Sequence, residues 1–288
     1  MSPPVTYTLK GNIGVVSIDN PPVNALSQAV RQGIMEALDQ SESDASEAVL
    51  IICEGRTFIA GADISEFGKP LLDPWLPAVV NRIEASAKPV VAAIHGTALG
   101  GGFEVALAAH YRCALPSAKV GLPEVKLGLL PGAGGTQRAP RLAGAQAALD
   151  LMTSGAPVNA AVAAEVGLVD RIIEGDLLAG ALAWAAELLA DGAGPRRTAE
   201  MTVPPHDPTL FDNYRATLTK RARGQIAPQY IVECVEAAAR LPLAEGLQLE
   251  RDRFAELMAG EQSIALRHIF FAERQAAKVD GLPKETPL

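Results

Sequence analysis

The sequence predicts an α/β fold, and three observations carry that prediction. Two wholly apolar runs of strand length, Ala48–Cys53 (AVLIIC) and Val90–Ile94 (VVAAI), have the continuous character of strands buried on both faces. A glycine-bearing loop follows each run, and the second leads into a helix-like segment, FEVALAAH. The repetition of strand, glycine loop and helix along one chain is the pattern of an α/β core. With 288 residues, 49% hydrophobic and 20% charged, the chain has enough apolar material for a sizeable core.

Taken in order, Val5 to Ile18 alternates and breaks at Gly11–Asn12, which reads as a β-hairpin. Ser27 stands as an N-cap before AVRQGIMEALDQ, where Val30, Ile34 and Leu38 share one helical face. Then come the two buried strands, the second introduced by Lys88–Pro89, and a shorter strand near Lys119–Gly121. From about residue 195 the character changes. Residues 195–230 are rich in proline and charge and read as a connecting arm, followed by helices over Tyr230–Arg240, Pro242–Ala259 and Ser263–Val279. The expected organisation is a core over residues 1–194 and a helical region over 195–288.

Charge and cysteine usage exclude several classes. The net charge of −8 argues against general nucleic-acid binding, which needs a basic face to displace phosphate counterions. Cys53, Cys113 and Cys234 are scattered without a CxxC pair, and His95, His110, His206 and His268 show no metal-ligand spacing. No disulfide framework and no metal site are therefore expected, and a reducing, cytoplasmic setting suits the thiols. The N-terminus lacks the pattern of a signal peptide, and no run of about 18 apolar residues offers a membrane span.

Chemistry concentrates in three glycine-bearing stretches: Ile59–Ile64 (IAGADI), His95–Glu104 (HGTALGGGFE), and Gly121–Glu124 (GLPE) with the nearby Pro131–Arg138 (PGAGGTQR). Glycines at such turns admit close backbone approach and leave N–H groups aimed at a ligand, either a phosphate or an oxyanion forming on a carbonyl. Tight helix–strand packing explains glycine-rich turns equally well. A dinucleotide-binding fingerprint fails here, because Gln137 stands where the last glycine of Gly132-x-Gly134 should be and no strand precedes it. Glu104 and Glu124 lie beside these loops and together suit general acid–base work on a carbonyl-activated substrate. Taken singly, each is equally a helix-terminal or loop carboxylate. No GxSxG is present, and His95, directly after an apolar strand, reads as a buried structural histidine.

The stretch from Pro89 to Gly144, together with IAGADI and GAPVNAAVAAEVGLVDRII, closely resembles the crotonase (enoyl-CoA hydratase/isomerase) superfamily, and the ordered set AGADI, GGGxE, GxPE and PGAGGTQR is highly specific. NPPVNALS, GLPEV and FFAERQAAKV narrow the resemblance to the amino-terminal part of a bifunctional β-oxidation enzyme, whose 3-hydroxyacyl-CoA dehydrogenase part would lie outside this chain.

The resemblance implies a spiral of repeated ββα units with a helical C-terminal part. It implies hydration of 2-trans-enoyl-CoA to 3-hydroxyacyl-CoA, with isomerisation of 3-enoyl to 2-enoyl thioesters as a second activity. It assigns an oxyanion hole to the N–H groups of Ala62 and Gly101, water activation to Glu104 and Glu124, and α-carbon proton exchange to Glu124. Gly132 would line the site, while Ala60, Asp63 and Ile64 would lie beside the CoA moiety.

Coenzyme A enters as part of the substrate, with no tightly bound cofactor and no metal. The implied partners are an acyl-CoA substrate and neither nucleic acid nor membrane, in a homotrimer or a monomer. Ser65 replaces the lysine often found after AGADI, leaving Arg56 and Lys69 as candidate phosphate-binding cations. Leu71, Leu72, Trp75 and Leu76 read either as an acyl-tunnel wall or, by default, as an amphipathic helix on the core. Two rivals remain: another crotonase-type reaction such as thioester hydrolysis or decarboxylation, and a non-catalytic acyl-CoA-binding module.

Overall fold

A computed structural model describes residues 3–63, 66 and 72–276. Ile64, Ser65, Lys69 and Leu71 lie outside the described residues, as does the end of the last predicted helix beyond 276. The expected hairpin forms from β1 (Val5–Lys10) and β2 (Ile13–Ile18), paired antiparallel, with Gly11 in the left-handed region at the turn. Helix α1 (Gln28–Ser43) starts after Ser27, although the Ser27 hydroxyl makes no capping bond. Val30, Ile34 and Leu38 are fully buried, as their shared helical face requires.

The large sheet runs β1-β2-β3-β4-β6-β9, using β3 (Ala48–Cys53), β4 (Val90–Ile94), β6 (Tyr111–Ala114) and β9 (Arg171–Ile172). All pairings after the first are parallel. Every residue of β3 and β4 is buried, because the sheet has an apolar layer on each side. One layer contains α7 (Leu177–Ala190), whose Leu177, Ala181, Trp184 and Ala185 cover Val15, Leu50, Val91 and Cys113. The other is the main core and continues into the C-terminal helices.

A second, three-stranded sheet sets β5 (Thr97–Leu99) parallel to β7 (Lys119–Gly121), with β8 (Val158–Asn159) antiparallel at its edge. The chain passes from β4 in the large sheet to β5 in the small one and out to α3 (Gly101–Ala108), then repeats through β6 and β7. This is the ββα spiral. It stacks β5 and β7 side by side, so the loops that follow them emerge at the same place.

After β7 come a single 3₁₀ turn at Glu124–Leu127 and helices α4 (Gly135–Ala143), α5 (Ala145–Ser154) and α6 (Ala160–Glu165). The stretch read as a connecting arm holds a helix of its own, α8 (Leu210–Arg221), and α9 begins at Ala227 (Ala227–Arg240). Leu210, Phe211 and Leu218 are buried, so this segment packs rather than merely connects. Helices α10 (Leu243–Ala259) and α11 (Glu261–Ala276) complete the described chain. Residues of α8, α9 and α10 belong to the same apolar cluster as β3, β4 and α3, so the core crosses the expected boundary at 194 without a break.

Candidate active site

The three glycine loops converge. Leu99 donates its N–H to Ile59 O at 3.1 Å, and Gly100 N–H donates to Gly121 O at 2.9 Å, tying the second loop to the first and the third. Gly100 takes φ 53° to turn the chain from β5 into α3, a conformation in the region that favours glycine. Gly102 allows the close approach of the first loop: a Cβ there would stand 2.1 Å from Ile59 O.

Ala62 and Gly101 are neighbours across this junction. A Cβ built on Gly101 would lie 3.5 Å from Ala62 N. Leu26 N–H donates to Gly61 O at 3.0 Å and pairs with Ala62 in an isolated parallel bridge, which holds the first loop in place. Among the described residues, neither the Ala62 nor the Gly101 N–H has a protein acceptor. Two such donors side by side can receive one oxygen atom that gains negative charge.

Glu104 stands on the first turn of α3, 3% exposed. Its Oε1 accepts from Ala133 N–H at 2.7 Å and Gly135 N–H at 2.9 Å, while among the described residues no donor is bonded to Oε2. Burial pushes its carboxyl above the usual range, and those two N–H bonds with the nearby Arg138 guanidinium hold the rise down. Glu124 opens the 3₁₀ turn, with Oε2 buried and unpartnered. Burial first, then the charge of Glu104, push it well above the ordinary carboxylate range. The Glu124 Oε1 lies 3.0 Å from where a Cβ on Gly100 would be, so this carboxylate borders the glycine turn itself. One carboxylate held by backbone donors near a second whose pKa is raised has the makings of an acid–base pair.

Glu250, on α10, is a third buried carboxylate that sequence reasoning passed over as one charge among several in LQLERDRF. It is 1% exposed. Its Oε1 accepts from Gly134 N–H at 2.6 Å, and its Oε2 from Thr136 N–H at 3.0 Å and Thr136 Oγ1 at 2.5 Å. Burial, then Glu104, raise its carboxyl to about 8. The one signal available in the sequence is spacing: Gly246, Glu250 and Phe254 fall on one stripe of a helix.

Gly132 lies under Phe254, whose ring would be 2.6 Å from a Cβ at that position. Ala60 is half-buried and donates its N–H to Val23 O at 3.1 Å; Asp63 is half-buried and accepts from Glu66 N–H at 3.0 Å. Arg56 is exposed and donates from Nε to Pro22 O at 3.2 Å.

Two readings change. His95 is half-buried rather than buried, with Nε2 donating to Gly55 O at 3.1 Å. Of the described residues expected in an amphipathic helix, Leu72 and Trp75 precede α2 (Leu76–Glu84), which begins at Leu76. Leu72 and Trp75 stand 60% and 51% exposed ahead of it, and Leu76 alone of the three reaches the core, against Gly101. The preceding Asp73–Pro74 segment supplies backbone acceptors to Gln28 and Arg31 instead of extending the helix.

Residues 8–203 match the profile of the enoyl-CoA hydratase/isomerase family. The chain is 44% identical over 273 residues to a peroxisomal bifunctional enzyme of Danio rerio, covering 94% of this chain and 38% of that protein. To a fatty acid oxidation complex subunit alpha of Shewanella loihica it is 35% identical over 306 residues, covering 97% and 42%. Among solved structures, a carnitinyl-CoA dehydratase of Mycobacterium avium superposes with a TM-score of 0.68 at 28% identity, covering 91% of this chain and 95% of that one. The chain thus spans well under half the length of the curated relatives it matches.

Proposed function

The chain belongs to the enoyl-CoA hydratase/isomerase family, and from that premise we propose that it hydrates 2-trans-enoyl-CoA to 3-hydroxyacyl-CoA in fatty-acid β-oxidation. The observation that carries this reading is the placement of the buried Glu104 and the half-buried Glu124, with its buried Oε2, near two backbone donors without protein acceptors among the described residues, Ala62 and Gly101.

In the proposed reaction the thioester oxygen sits between the Ala62 and Gly101 N–H groups. Its carbonyl draws electron density from the C2–C3 double bond as water adds. Glu104 accepts a hydrogen bond from that water through Oε2, the oxygen without a donor among the described residues, and Oε1 is fixed by Ala133 and Gly135. The water oxygen bonds to C3 and its proton passes to the carboxylate pair. Glu124, whose burial favours the protonated form, gives a proton to C2, and the pair returns to its starting charge. The negative charge held briefly on the thioester oxygen is where the two N–H groups act, each such donor being worth about 10²–10³ in rate.

Glu124 in its ionised form, with its unpartnered Oε2, also suits removal and return of one proton, which supports isomerisation of 3-enoyl to 2-enoyl thioesters at the same site. Coenzyme A is then part of the substrate, with Ala60 and Asp63 beside it and Gly132 lining the water side, and no tightly bound cofactor is required. Residues 1–194 would supply the reacting groups and 195–288 their helical support. Free, buried thiols at all three cysteines support a reducing, cytoplasmic setting, and no described helix is long and apolar enough to cross a membrane. Cover by α9 and α10 of the same chain supports a monomer over a homotrimer.

The test is loss of the conjugated-thioester absorbance of crotonyl-CoA with the wild type, Glu104→Gln and Glu124→Gln. Turnover by the wild type that collapses in both variants supports hydration. Turnover that survives in both points to thioester hydrolysis or decarboxylation, and CoA binding without turnover points to a non-catalytic acyl-CoA-binding module.

A further inference from the structure

Four consecutive N–H groups, from Ala133 to Thr136, are shared alternately between two buried glutamates from distant parts of the chain. Ala133 and Gly135 donate to Glu104, while Gly134 and Thr136 donate to Glu250. In an extended or turning run, alternate N–H groups point to opposite sides, so the loop is held from both sides at once. Neither carboxylate can shift without moving the donors of the other. We propose that Glu250 is a positioning residue for the hydration reaction: by gripping Gly134 and Thr136 it sets the loop that orients Glu104, and α10 is thereby part of the catalytic centre. This inference rests on the hydratase reading.

The seating of α10 is specific along one stripe. Gly246 lies so close to Gln137 that a Cβ would come within 1.9 Å of its Oε1. One turn on, Glu250 takes the loop donors. One turn further, the Phe254 ring covers Gly132 at 2.6 Å from a Cβ there. Residues four apart on a helix share a face, so a single face of α10 spans Gly132 to Gln137.

A helix cap alone does not explain a glutamate here. A serine or threonine would satisfy the start of α4 without burying an ionisable group, whereas Glu250 carries the cost of burial. That cost is offset by three donors, including the Thr136 hydroxyl, which itself accepts from Gln137 Nε2 at 3.1 Å. The groups facing Glu250 are Glu104 from α3, Glu124 from the 3₁₀ turn, Arg138 from α4 and Cys234 from α9. Two of these are carboxylates of the proposed acid–base pair, so the ionisation of Glu250, raised to about 8, acts on both.

The experiment compares pH profiles of kcat/KM for crotonyl-CoA hydration in the wild type, Glu250→Gln, Thr136→Val and Arg253→Ala. Thr136→Val removes the hydroxyl that donates to Glu250 and accepts from Gln137 Nε2, and leaves the backbone donors in place. Arg253→Ala loosens α10 from Glu233 on α9 without touching the loop.

In Glu250→Gln, kcat falls by about 10²-fold through misplacement of Glu104, with KM changed far less. Glu250 carries its charge only above about 8, where it helps the acid–base pair keep its proton; without that charge the alkaline limb moves to lower pH by about one unit. Thr136→Val shifts the limb the same way by a smaller amount, which serves as the test if Glu250→Gln does not fold. Arg253→Ala lowers Tm without moving the limb. An unchanged kcat, or an unmoved limb in Glu250→Gln and Thr136→Val, overturns the proposal.

Carboxyl ¹³C NMR titration of glutamate-labelled wild type and variants keeps this separate from the reaction itself. If the wild type is silent on enoyl-CoA, the hydratase reading fails. The positioning claim then stands if the Glu104 and Glu124 titrations move in the variants, and falls if they do not.

Discussion

Arg138 pairs with Glu84 beneath the site, Nη2 to Oε2 at 2.7 Å, while its Nη1 donates to Ala133 O at 3.1 Å. The guanidinium is fully buried and joins this ion pair to the loop that serves Glu104. Glu84 is further held by the Thr198 hydroxyl and by Ala199 N–H at 3.1 Å, which ties the pair to the segment after α7. Burial tends to raise the Glu84 carboxyl, but Arg138 and these donors bring it below its ordinary value.

Arg138→Met leaves Glu84 buried without its counter-ion. Breaking one partner of such a pair costs about 3–5 kcal/mol. Urea denaturation of Arg138→Met should show that loss, and replacing both members (Glu84→Leu with Arg138→Met) should recover part of it. Equal losses in the single and double variants would mean that the pair has no coupling.

Glu104→Gln and Glu124→Gln should each lower kcat for crotonyl-CoA hydration by about 10²–10⁴-fold, the range of a positioned acid or base. For isomerisation of a 3-enoyl-CoA, the Glu124 variant should lose more than the Glu104 variant. Circular dichroism should show both variants folded.

Gly102→Ala tests the packing of the loops. The added Cβ meets Ile59 O at 2.1 Å, a backbone atom that cannot swing aside. Stability should fall by about 1–3 kcal/mol. Hydration should fall with it, because Leu99 N–H and Ala62 both depend on where that loop lies. Wild-type stability in this variant would mean that the loops adapt freely.

Glu250 predicts a pH dependence of stability with a definite sign. Its carboxyl is raised from 4.5 to about 8 in the folded protein. Below 4.5 both states hold the proton and the group costs nothing. Between 4.5 and about 8 the unfolded chain releases the proton while the folded chain keeps it, so stability falls as pH rises. Glu250→Gln removes this slope. The Tm of the variant minus that of the wild type should therefore rise steadily from pH 5 to pH 8, and a flat difference would contradict the burial argument.

What the sequence showed and what it hid divide along physical lines. Ala48–Cys53 and Val90–Ile94 were legible because a strand covered on both faces must be apolar at every position. The glycine loops were legible because close backbone approach leaves few other residues usable. The α8 helix was hidden by the proline-rich stretch before it and by its sparse apolar face, Leu210, Phe211 and Leu218. Glu250 was hidden for a different reason. On its own helix it looks like any solvated glutamate, and only the packing of α10 against a loop more than a hundred residues earlier gives it partners. The exposure of Leu72 and Trp75 was equally out of reach, since it follows from where α2 begins.

The shared loop also bears on how the protein is made. A ribosome completes Glu104 and Glu124 long before it reaches Glu250, and N-terminal portions of a chain fold first. Until α10 emerges, the Gly134 and Thr136 N–H groups have no carboxylate to bind and Gly132 has no ring above it. A nascent chain therefore holds every reacting group of the proposed site in an unfinished geometry. The proposed chemistry would become possible only at the moment α10 docks on the loop.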